Sequence, residues 1–372
     1  MCLVCLVCLV CLVCLVCLVC LVCLVCLVCL VCLVCLVCLV CLVCLVCLVC
    51  LGSPDIHPKG VYCPCHYQPP MKIAILSRGP QLYSTQSLIR AGIRRHHEMH
   101  IVDHTRCTLI VGRGKPQIYY GDYVLPRFDA VIPRIGASVT SLGASVISQF
   151  EMMNTFTAAR PEALLQSRDK LRCLQKLARC GVEIPRTVAV VPGQELLPLI
   201  NSIGGLPVVI KMLESTHGIG VILAETYRTA ESVIEAFQRK GERLIIQEFI
   251  REAKGADIRA LVVAGEVVAT MERRAKPGEF RSNLHRGASA EAMNLSLEEE
   301  VLVKKVVKLM GLDVAGVDFL RSQRGPLIME VNASPGLEGI EGITGVDVAG
   351  NIIEFIERRV REQQNYQANT KK

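Results

Sequence analysis

The chain has no tryptophan, and aromatic residues fill only 4% of its 372 positions. Nucleic-acid binding by base stacking would need aromatics interleaved with basic residues, and no such interleaving occurs. Charge is almost absent from the first 70 residues, which hold one acid, Asp55, and one base, Lys59. The net charge of +7 therefore belongs to residues 71–372, with 40 basic against 33 acidic side chains. That modest excess favours acidic partners without naming them. A disulfide framework is also missing. Of 22 cysteines, 17 lie in a repeat at the start, Cys63 and Cys65 follow in a linker, and only Cys107, Cys173 and Cys180 remain in the body. Three scattered thiols point to a reducing cytoplasm. There is no Walker A loop and no G-x-G-x-x-G fingerprint.

Residues 2 to 49 are sixteen copies of Cys-Leu-Val. A period of three matches neither strand alternation nor helical amphipathicity. The run is long and apolar enough to span a bilayer. It has no basic flank before it and no clear small-residue cleavage site after it, which makes a poor signal peptide. Met71 then opens a conventional first strand, MKIAILS. The expectation is a repeat and linker over 1–70, outside a folded protein that begins at Met71. A membrane-anchoring or aggregation-prone segment is the alternative. His57, Cys63, Cys65 and His66 can be drawn as a zinc site, but the spacing is unusual and the proline-rich context irregular.

From Met71 the pattern alternates strand and helix, which predicts a parallel α/β unit. Arg78 and Arg134 each follow a strand, so both are candidates for a cleft at the carboxyl edge of that sheet, as well as for ordinary surface positions. One helix is predicted over Glu162 to Cys180, with Asp169-Lys170 near its middle. LPVVIKM, residues 206–212, is a strand ending in Lys211, a lysine that needs a partner or a ligand unless it snorkels. ESTHGIGV follows; Gly218 and Gly220 allow backbone amides to approach a phosphate, and they also suit a plain hairpin turn. RLIIQEFI is another strand, and Asp257 to Met271 a strand pair turning at Ala264-Gly265. The basic stretch holding Arg273, Arg274, Lys276, Arg281 and Arg286 reads either as a solvated loop or as a clamp for phosphates and carboxylates. The polar tail to Lys372 is predicted to be disordered.

The stretch VAGVDFLRSQRGPLIMEVNASP, residues 314–335, carries the clearest chemistry. Two apolar runs flank a polar, Gly-Pro-containing break, so it reads as a β-hairpin. A hairpin symmetric about Arg324 sets Asp318 opposite Glu330, and alternation puts Glu330 and Asn332 on one face. Two carboxylates and an amide oxygen suit Mg²⁺ shared with nucleotide phosphates. A solvated strand face is the other reading. Against it, unpaired carboxylates are costly inside apolar runs.

Taken in order, Asp169-Lys170, LPVVIKM, ESTHGIGV, LIIQEFI, DIRALVV, RSNLHRG, VAGVDFL and MEVNASPGLEGIE resemble the ATP-grasp superfamily, and within it the RimK family of α-L-glutamate ligases. The resemblance runs from Met71 to about Arg361. It implies a pre-ATP-grasp parallel α/β domain over 71–165, an ATP-grasp domain of two α+β halves over 166–357, and a tail over 358–372. It implies ATP and two Mg²⁺ ions, with Mn²⁺ suited to the same octahedral oxygen sites. Lys170 and Lys211 would contact ATP phosphates or base. Glu248 and Phe249 would line the adenine slot, and Asp257 would hold the ribose. His217, Gly218 and Gly220 would cover the phosphates. Arg281, Ser282 and Asn283 would face the triphosphate and the reacting carboxylate, with Arg281 and Asn283 the catalytic candidates. Asp318, Glu330 and Asn332 would bind the metals.

The family activity is addition of L-glutamate to the carboxyl terminus of a small-subunit ribosomal protein, through an acyl phosphate. Arg259 and the stretch Arg273 to Lys276 are then candidates for binding glutamate or an acidic peptide tail. No direct nucleic-acid partner is expected, and the family implies a homo-oligomer, a tetramer. Two other functions stay open. One is glutamate ligation to a different acceptor: a cofactor, a small amino-acid acceptor, or glutamate itself to make poly-α-glutamate. The other is a non-catalytic nucleotide-binding regulator.

Overall fold

A computed structural model describes residues 69–112, 115–213, 220–284 and 287–370. The Cys-Leu-Val repeat, the drawn zinc set, His217, Gly218 and Arg286 lie outside the described residues.

The first layer is the expected parallel sheet. Strands β1 (Lys72–Leu76), β2 (Glu98–Val102), β6 (Ala130–Pro133) and β7 (Phe156–Thr157) lie in the order β2-β1-β6-β7, all parallel. After exposed Lys72, β1 is apolar from Ile73 to Leu76 because both its faces are covered. Ile73 and Ile75 pack with Leu88 and Ala91 of helix α1 (Tyr83–Arg94), while Ala74 and Leu76 pack with Ile147 and Phe150 of helix α2 (Thr140–Met152). Between β2 and β6 lies a small antiparallel trio, β3 (Cys107–Ile110), β4 (Gln117–Tyr120) and β5 (Tyr123–Val124), which the sequence pattern did not announce. Only Ile118 of these strands is fully buried, so the apolar signal is weak.

The helix expected over Glu162 to Cys180 is two helices, α3 (Pro161–Arg168) and α4 (Lys170–Arg179). Asp169 causes the break. Its backbone is extended (φ −81, ψ 102), and its carboxylate caps α4 by accepting the Arg172 N–H at 3.0 Å. The kink carries Arg168 and Lys170 on either side of one corner.

Next come β8 (Thr187–Val190), helix α5 (Leu196–Ser202), β9 (Val208–Met212), β10 (Val221–Ala224), helix α6 (Tyr227–Gln238) and β11 (Leu244–Glu248). They form an antiparallel sheet in the order β10-β9-β11-β8, with α5 and α6 packed on it through Ile200 and Ile234. The second half is a five-stranded antiparallel sheet ordered β14-β13-β12-β15-β16. Its members are β12 (Ala256–Val263), β13 (Glu266–Arg274), β14 (Ser289–Ala292), β15 (Val314–Ser322) and β16 (Gly325–Asn332).

Helix α7 (Leu297–Met310) covers one face of this sheet. A capping box opens it, with Ser296 and Glu299 satisfying each other's backbone N–H groups, and Gly311 at φ +70 closes it. Its Val303, Val306, Val307 and Met310 meet Val317, Phe319, Ile328 and Val331 of the β15–β16 hairpin. The opposite face is divided. Leu261, Ala269, Met271 and Val314 pack with Ile340 of helix α8 (Glu338–Thr344) and with Ile352 and Ile356 of helix α9 (Val348–Thr370). Beyond them the same face turns polar, with Asp257, Arg259, Asp318 and Glu330, and that polar end is the candidate site. The tail is not disordered as far as residue 370. α9 continues through it, supported by an Arg359–Glu362 pair one turn apart at 2.8 Å and by Gln363 donating to the Asn154 carbonyl at 3.3 Å.

Candidate active site

The hairpin delivers its acids as expected, by a route the sequence did not reveal. Ser322 pairs with Gly325, so the turn is centred ahead of Arg324, and plain counting would put Asp318 opposite Met329. A β-bulge leaves Met329 unpaired, and the register beyond it joins Asp318 to Glu330 and Gly316 to Asn332. Directly paired residues share a face, so Asp318, Glu330 and Asn332 converge on the polar end of the sheet.

β12 lies between β13 and β15, and it supplies the partners. Arg259 pairs with Asp318 in register and grips it with two hydrogen bonds of 2.7 and 2.6 Å. Two residues earlier, Asp257 faces Arg273 of β13, again through two bonds, both of 2.7 Å. Arg273 also reaches Asp318 at 3.2 Å. Asp318, Arg273 and Asp257 are only 4%, 5% and 6% exposed. Burial by itself would raise the Asp318 carboxyl, but Arg259 and Arg273 overcome this and hold it down at about 2. Burial raises the Asp257 carboxyl, with Arg273 opposing and neighbouring Asp318 adding to the rise. The four groups form a charge-balanced quartet. Arg259 and Arg273 are therefore committed to carboxylates of the chain itself, contrary to their expected role as free clamps for an acidic substrate. Asp257, assigned to ribose by the resemblance, has both oxygens held by Arg273.

Two lysines face these acids. Lys211, on β9, is pushed down to about 8 by burial, with Glu330 opposing the shift. Lys170 opens α4, and its ammonium donates to the Leu213 carbonyl at 3.2 Å. Burial lowers it as well, again with Glu330 opposing. Glu330 thus sits among Lys170, Lys211 and Arg168, yet makes no ion pair within 4 Å among the described residues. At the described end of the glycine loop, the backbone lies tight against Met212. Gly220 has φ +71, and a Cβ there would lie 2.3 Å from the Met212 sulfur.

Of the remaining predicted residues that are described, Ser282 alone interacts with this centre; the others make contacts of their own. Arg281 donates to Glu279 at 3.0 and 2.7 Å and to the Val221 carbonyl at 3.3 Å, tying its loop to the strand that follows the glycine loop. The Arg281 guanidinium holds the Glu279 carboxyl down at about 2. Ser282 is buried against Asp257. Asn283 is adjacent in the same loop, half-buried. Glu248 ends β11, accepts the Arg186 N–H at 2.7 Å and pairs with Arg324. Phe249 meets Phe280 edge to face, with ring centroids 6.5 Å apart.

A cation fits this arrangement only in company. Among the described residues, no three His, Cys, Asp or Glu side chains lie close enough to hold a metal on their own. The side-chain amide nitrogen of Asn332 is buried with no hydrogen-bond partner. Beside Asp318, the Glu330 carboxylate, without an ion pair among the described residues, suits a cation whose other ligands come from a phosphate-bearing substrate, and the open Asn332 N–H suits an acceptor oxygen of that substrate.

Comparison with known sequences decides the family. The RimK PreATP-grasp domain profile matches residues 71–164, and the RimK-like ATP-grasp domain profile matches residues 167–356. The chain belongs to the RimK family of ATP-grasp ligases. The RimK family includes a probable alpha-L-glutamate ligase of Teredinibacter turnerae, 56% identical over 291 residues, a match spanning 78% of this chain and 97% of that one. A probable alpha-L-glutamate ligase of Aeromonas salmonicida is 54% identical over 77% of this chain and 96% of its own length. Among solved structures, the ATP-grasp ligase PsnB complexed with a precursor variant, Mg and ADP has a TM-score of 0.60 at 20% identity, covering 77% of this chain and 98% of that one. D-alanine–D-alanine ligase from Bacillus anthracis complexed with ATP gives 0.57 at 18% identity, covering 79% and 99%. These two likenesses establish the fold.

Sequence reasoning missed Arg168 and Glu279. Arg168 immediately precedes Asp169-Lys170 but reads as a surface charge on a continuous helix. Glu279 is one acid in a basic stretch, and that reversal of sign was the available signal.

Proposed function

We propose that this chain joins L-glutamate to the carboxyl terminus of a protein acceptor at the expense of ATP, and that the acceptor is a small-subunit ribosomal protein with an acidic tail. The observation carrying this reading is the pairing of Asp318 with Glu330, beside Asn332, facing Lys170 and Lys211. Lysines suit phosphate oxygens, and the acids and amide suit the Mg²⁺ ions that accompany ATP. PsnB, bound to precursor peptide, Mg and ADP, supports the same ligand classes for this fold. Among the described residues Cys107, Cys173 and Cys180 are free thiols, which supports a cytoplasmic setting. Among the described residues no helix is long and apolar enough to cross a membrane.

The chemistry needs no side-chain nucleophile. An acceptor carboxylate oxygen attacks the γ-phosphorus of ATP, giving an acyl phosphate and releasing ADP. The α-amine of glutamate attacks the acyl carbon, the new amide forms, and phosphate leaves with the electron pair of the broken C–O bond. Asp318, Glu330 and Asn332 would hold two Mg²⁺ ions, which would supply charge neutralisation at the phosphates. Lys170 and Lys211 orient the phosphate chain. Arg281, fixed by Glu279, presents its guanidinium to the acyl phosphate, with Asn283 alongside. Glu248 and Phe249 border the adenine slot, and Asp257 anchors its ribose end through Arg273 and Ser282. The protein contributes position and electrostatics.

The test is ADP release by the purified protein with ATP, Mg²⁺ and glutamate, with and without the acceptor's carboxyl-terminal peptide, followed by peptide mass spectrometry. Glutamyl mass increments on the peptide are expected. Glutamate-dependent ADP release with an unmodified peptide would move the acceptor elsewhere. ATP binding without glutamate-dependent turnover would overturn the ligase reading.

A further inference from the structure

Three guanidiniums converge beside the nucleotide site, and no carboxylate among the described residues pairs with them. Arg78 follows β1 and Arg134 follows β6, both at the carboxyl edge of the parallel sheet. Arg168 comes from the end of α3, and its guanidinium donates to the Ile135 carbonyl. Arg78 donates to Ser138 Oγ at 3.2 Å, and its Nη2 lies 3.1 Å from where a Cβ on Gly136 would stand. All three cations therefore gather on the segment 134–138.

Their surroundings are short of negative charge. Among the described residues none of the three forms an ion pair within 4 Å. The Arg168 Nε is buried with no hydrogen-bond partner. Burial, with neighbouring Arg168 adding to it, pushes Arg134 down to about 10. His104, fully buried beside Arg78, has both ring nitrogens unpartnered. A group of desolvated like charges without an anion is costly to hold, and a folded chain that holds one presents it to a ligand. The group is open to solvent, since Arg134 and Arg168 are half-buried and Arg78 exposed.

The position selects the ligand. Glu330 is the carboxylate that acts on Arg168. Ser334, just past Asn332, donates to the Pro133 carbonyl at 3.1 Å, fastening the acid-bearing strand to the residue before Arg134. The pocket thus adjoins the reacting end of the nucleotide site, whose phosphates already have Lys170 and Lys211. The acceptor spends its carboxylate in the first step. The incoming amino acid reacts through its amine, so its two carboxylates survive the reaction and need cationic partners throughout.

We propose that Arg78, Arg134 and Arg168 form the pocket that takes the two carboxylates of the incoming dicarboxylate amino acid and aims its amine at the acyl carbon. This rests on the glutamate-ligase reading above. The three arginines are specificity determinants: an amino acid with a neutral side chain leaves one guanidinium unpaired.

The experiment is steady-state ADP release by the full chain and by Arg78→Gln, Arg134→Gln and Arg168→Gln, varying glutamate and ATP separately, with glutamine as a second amine donor. Each variant is expected to raise the KM for glutamate by about tenfold or more, to leave the KM for ATP within about twofold, and to narrow the preference for glutamate over glutamine. Arg134→Gln removes an unpaired desolvated charge, so its thermal midpoint should hold or rise. Arg78 is exposed, so Arg78→Gln reports even if an inner variant fails to fold. An unchanged glutamate KM in Arg78→Gln and Arg134→Gln, with glutamate-dependent turnover intact in the parent, would overturn the pocket and leave the ligase reading standing. A rise in the ATP KM in place of the glutamate KM would overturn it as well, assigning the arginines to phosphate. Absence of glutamate dependence in the parent itself would instead remove the reading on which the pocket rests.

Discussion

Asp318→Asn should damage the molecule in two separable ways. Asp318 closes the quartet of two carboxylates and two guanidiniums, and Arg259 has no other acidic partner among the described residues. Unit charges about 4 Å apart attract by about 4 kcal/mol in an effective dielectric near 20. Removing the carboxylate forfeits that attraction but leaves Arg259 desolvated, its side chain only 18% exposed. Breaking a buried pair from one side costs about 3–5 kcal/mol, and that loss is expected in urea unfolding of Asp318→Asn. Arg273 keeps Asp257, so the rest of the cluster survives. The second variant is Arg259→Met in the Asp318→Asn background, which restores charge balance with an apolar side chain of similar length. It should recover stability, with a coupling of about 1–3 kcal/mol. Catalysis should not recover, because the metal-facing carboxylate is still missing. Urea midpoints together with ADP release at saturating Mg²⁺ separate the two effects. The reasoning fails if the double variant is no more stable than Asp318→Asn, because Arg259 would then not be stranded. It fails equally if the double variant turns over normally, because Asp318 would then have no catalytic part.

Other perturbations follow from the same geometry. Glu330→Gln should fold normally, having no ion pair to lose among the described residues, and should cut turnover about 100-fold or more at saturating ATP; near-normal turnover across an Mg²⁺ titration would remove Glu330 from the metal set. Gly220→Ala should cost at least about 1 kcal/mol and raise the KM for ATP, since φ is +71 and Met212 blocks a Cβ; an unchanged urea midpoint would show that the loop simply moves aside. Glu357 accepts from Arg95 twice at 2.7 Å and from buried His97 at 2.7 Å, joining α1 and β2 to α9. Burial raises its carboxyl, but Arg95 and His97 outweigh burial and hold it below its ordinary 4.5. A depressed acid stabilises the fold above its unfolded value and loses that contribution as pH falls through the folded one. Stability should therefore drop on acidification below about 4.5, and Glu357→Gln, less stable at neutral pH by about 1.5–3 kcal/mol, should show a weaker acid dependence in pH-resolved thermal melts.

What the sequence disclosed and what it withheld divide along a physical line. Local periodicity announced the parallel sheet at Met71, the strand pair turning at Ala264-Gly265, and the hairpin with its acids, because each depends on alternation within a few residues. Asp318 and Glu330 stood out because a carboxylate inside an apolar run has to be accounted for. The helix break at Asp169 was less visible, since Asp inside a helical pattern is also an ordinary surface residue, and only the capping geometry shows that it ends α3 and starts α4. The paired state of Arg259 and Arg273 was not legible at all. It depends on β12 lying between β13 and β15, and so on a neighbour 59 positions away for Arg259 and Asp318. A hairpin's register is set by a nearby turn and a bulge, whereas the order of strands in a sheet is set by packing of the whole domain. The same distinction separates the two groups of arginines. Arg273, in a conspicuous basic stretch, is turned inward and neutralised. Arg134, among apolar neighbours, and Arg168, beside Asp169-Lys170, stand far apart in sequence and are brought together only by the fold, so that a concentration of positive charge exists there where none can be seen in the chain.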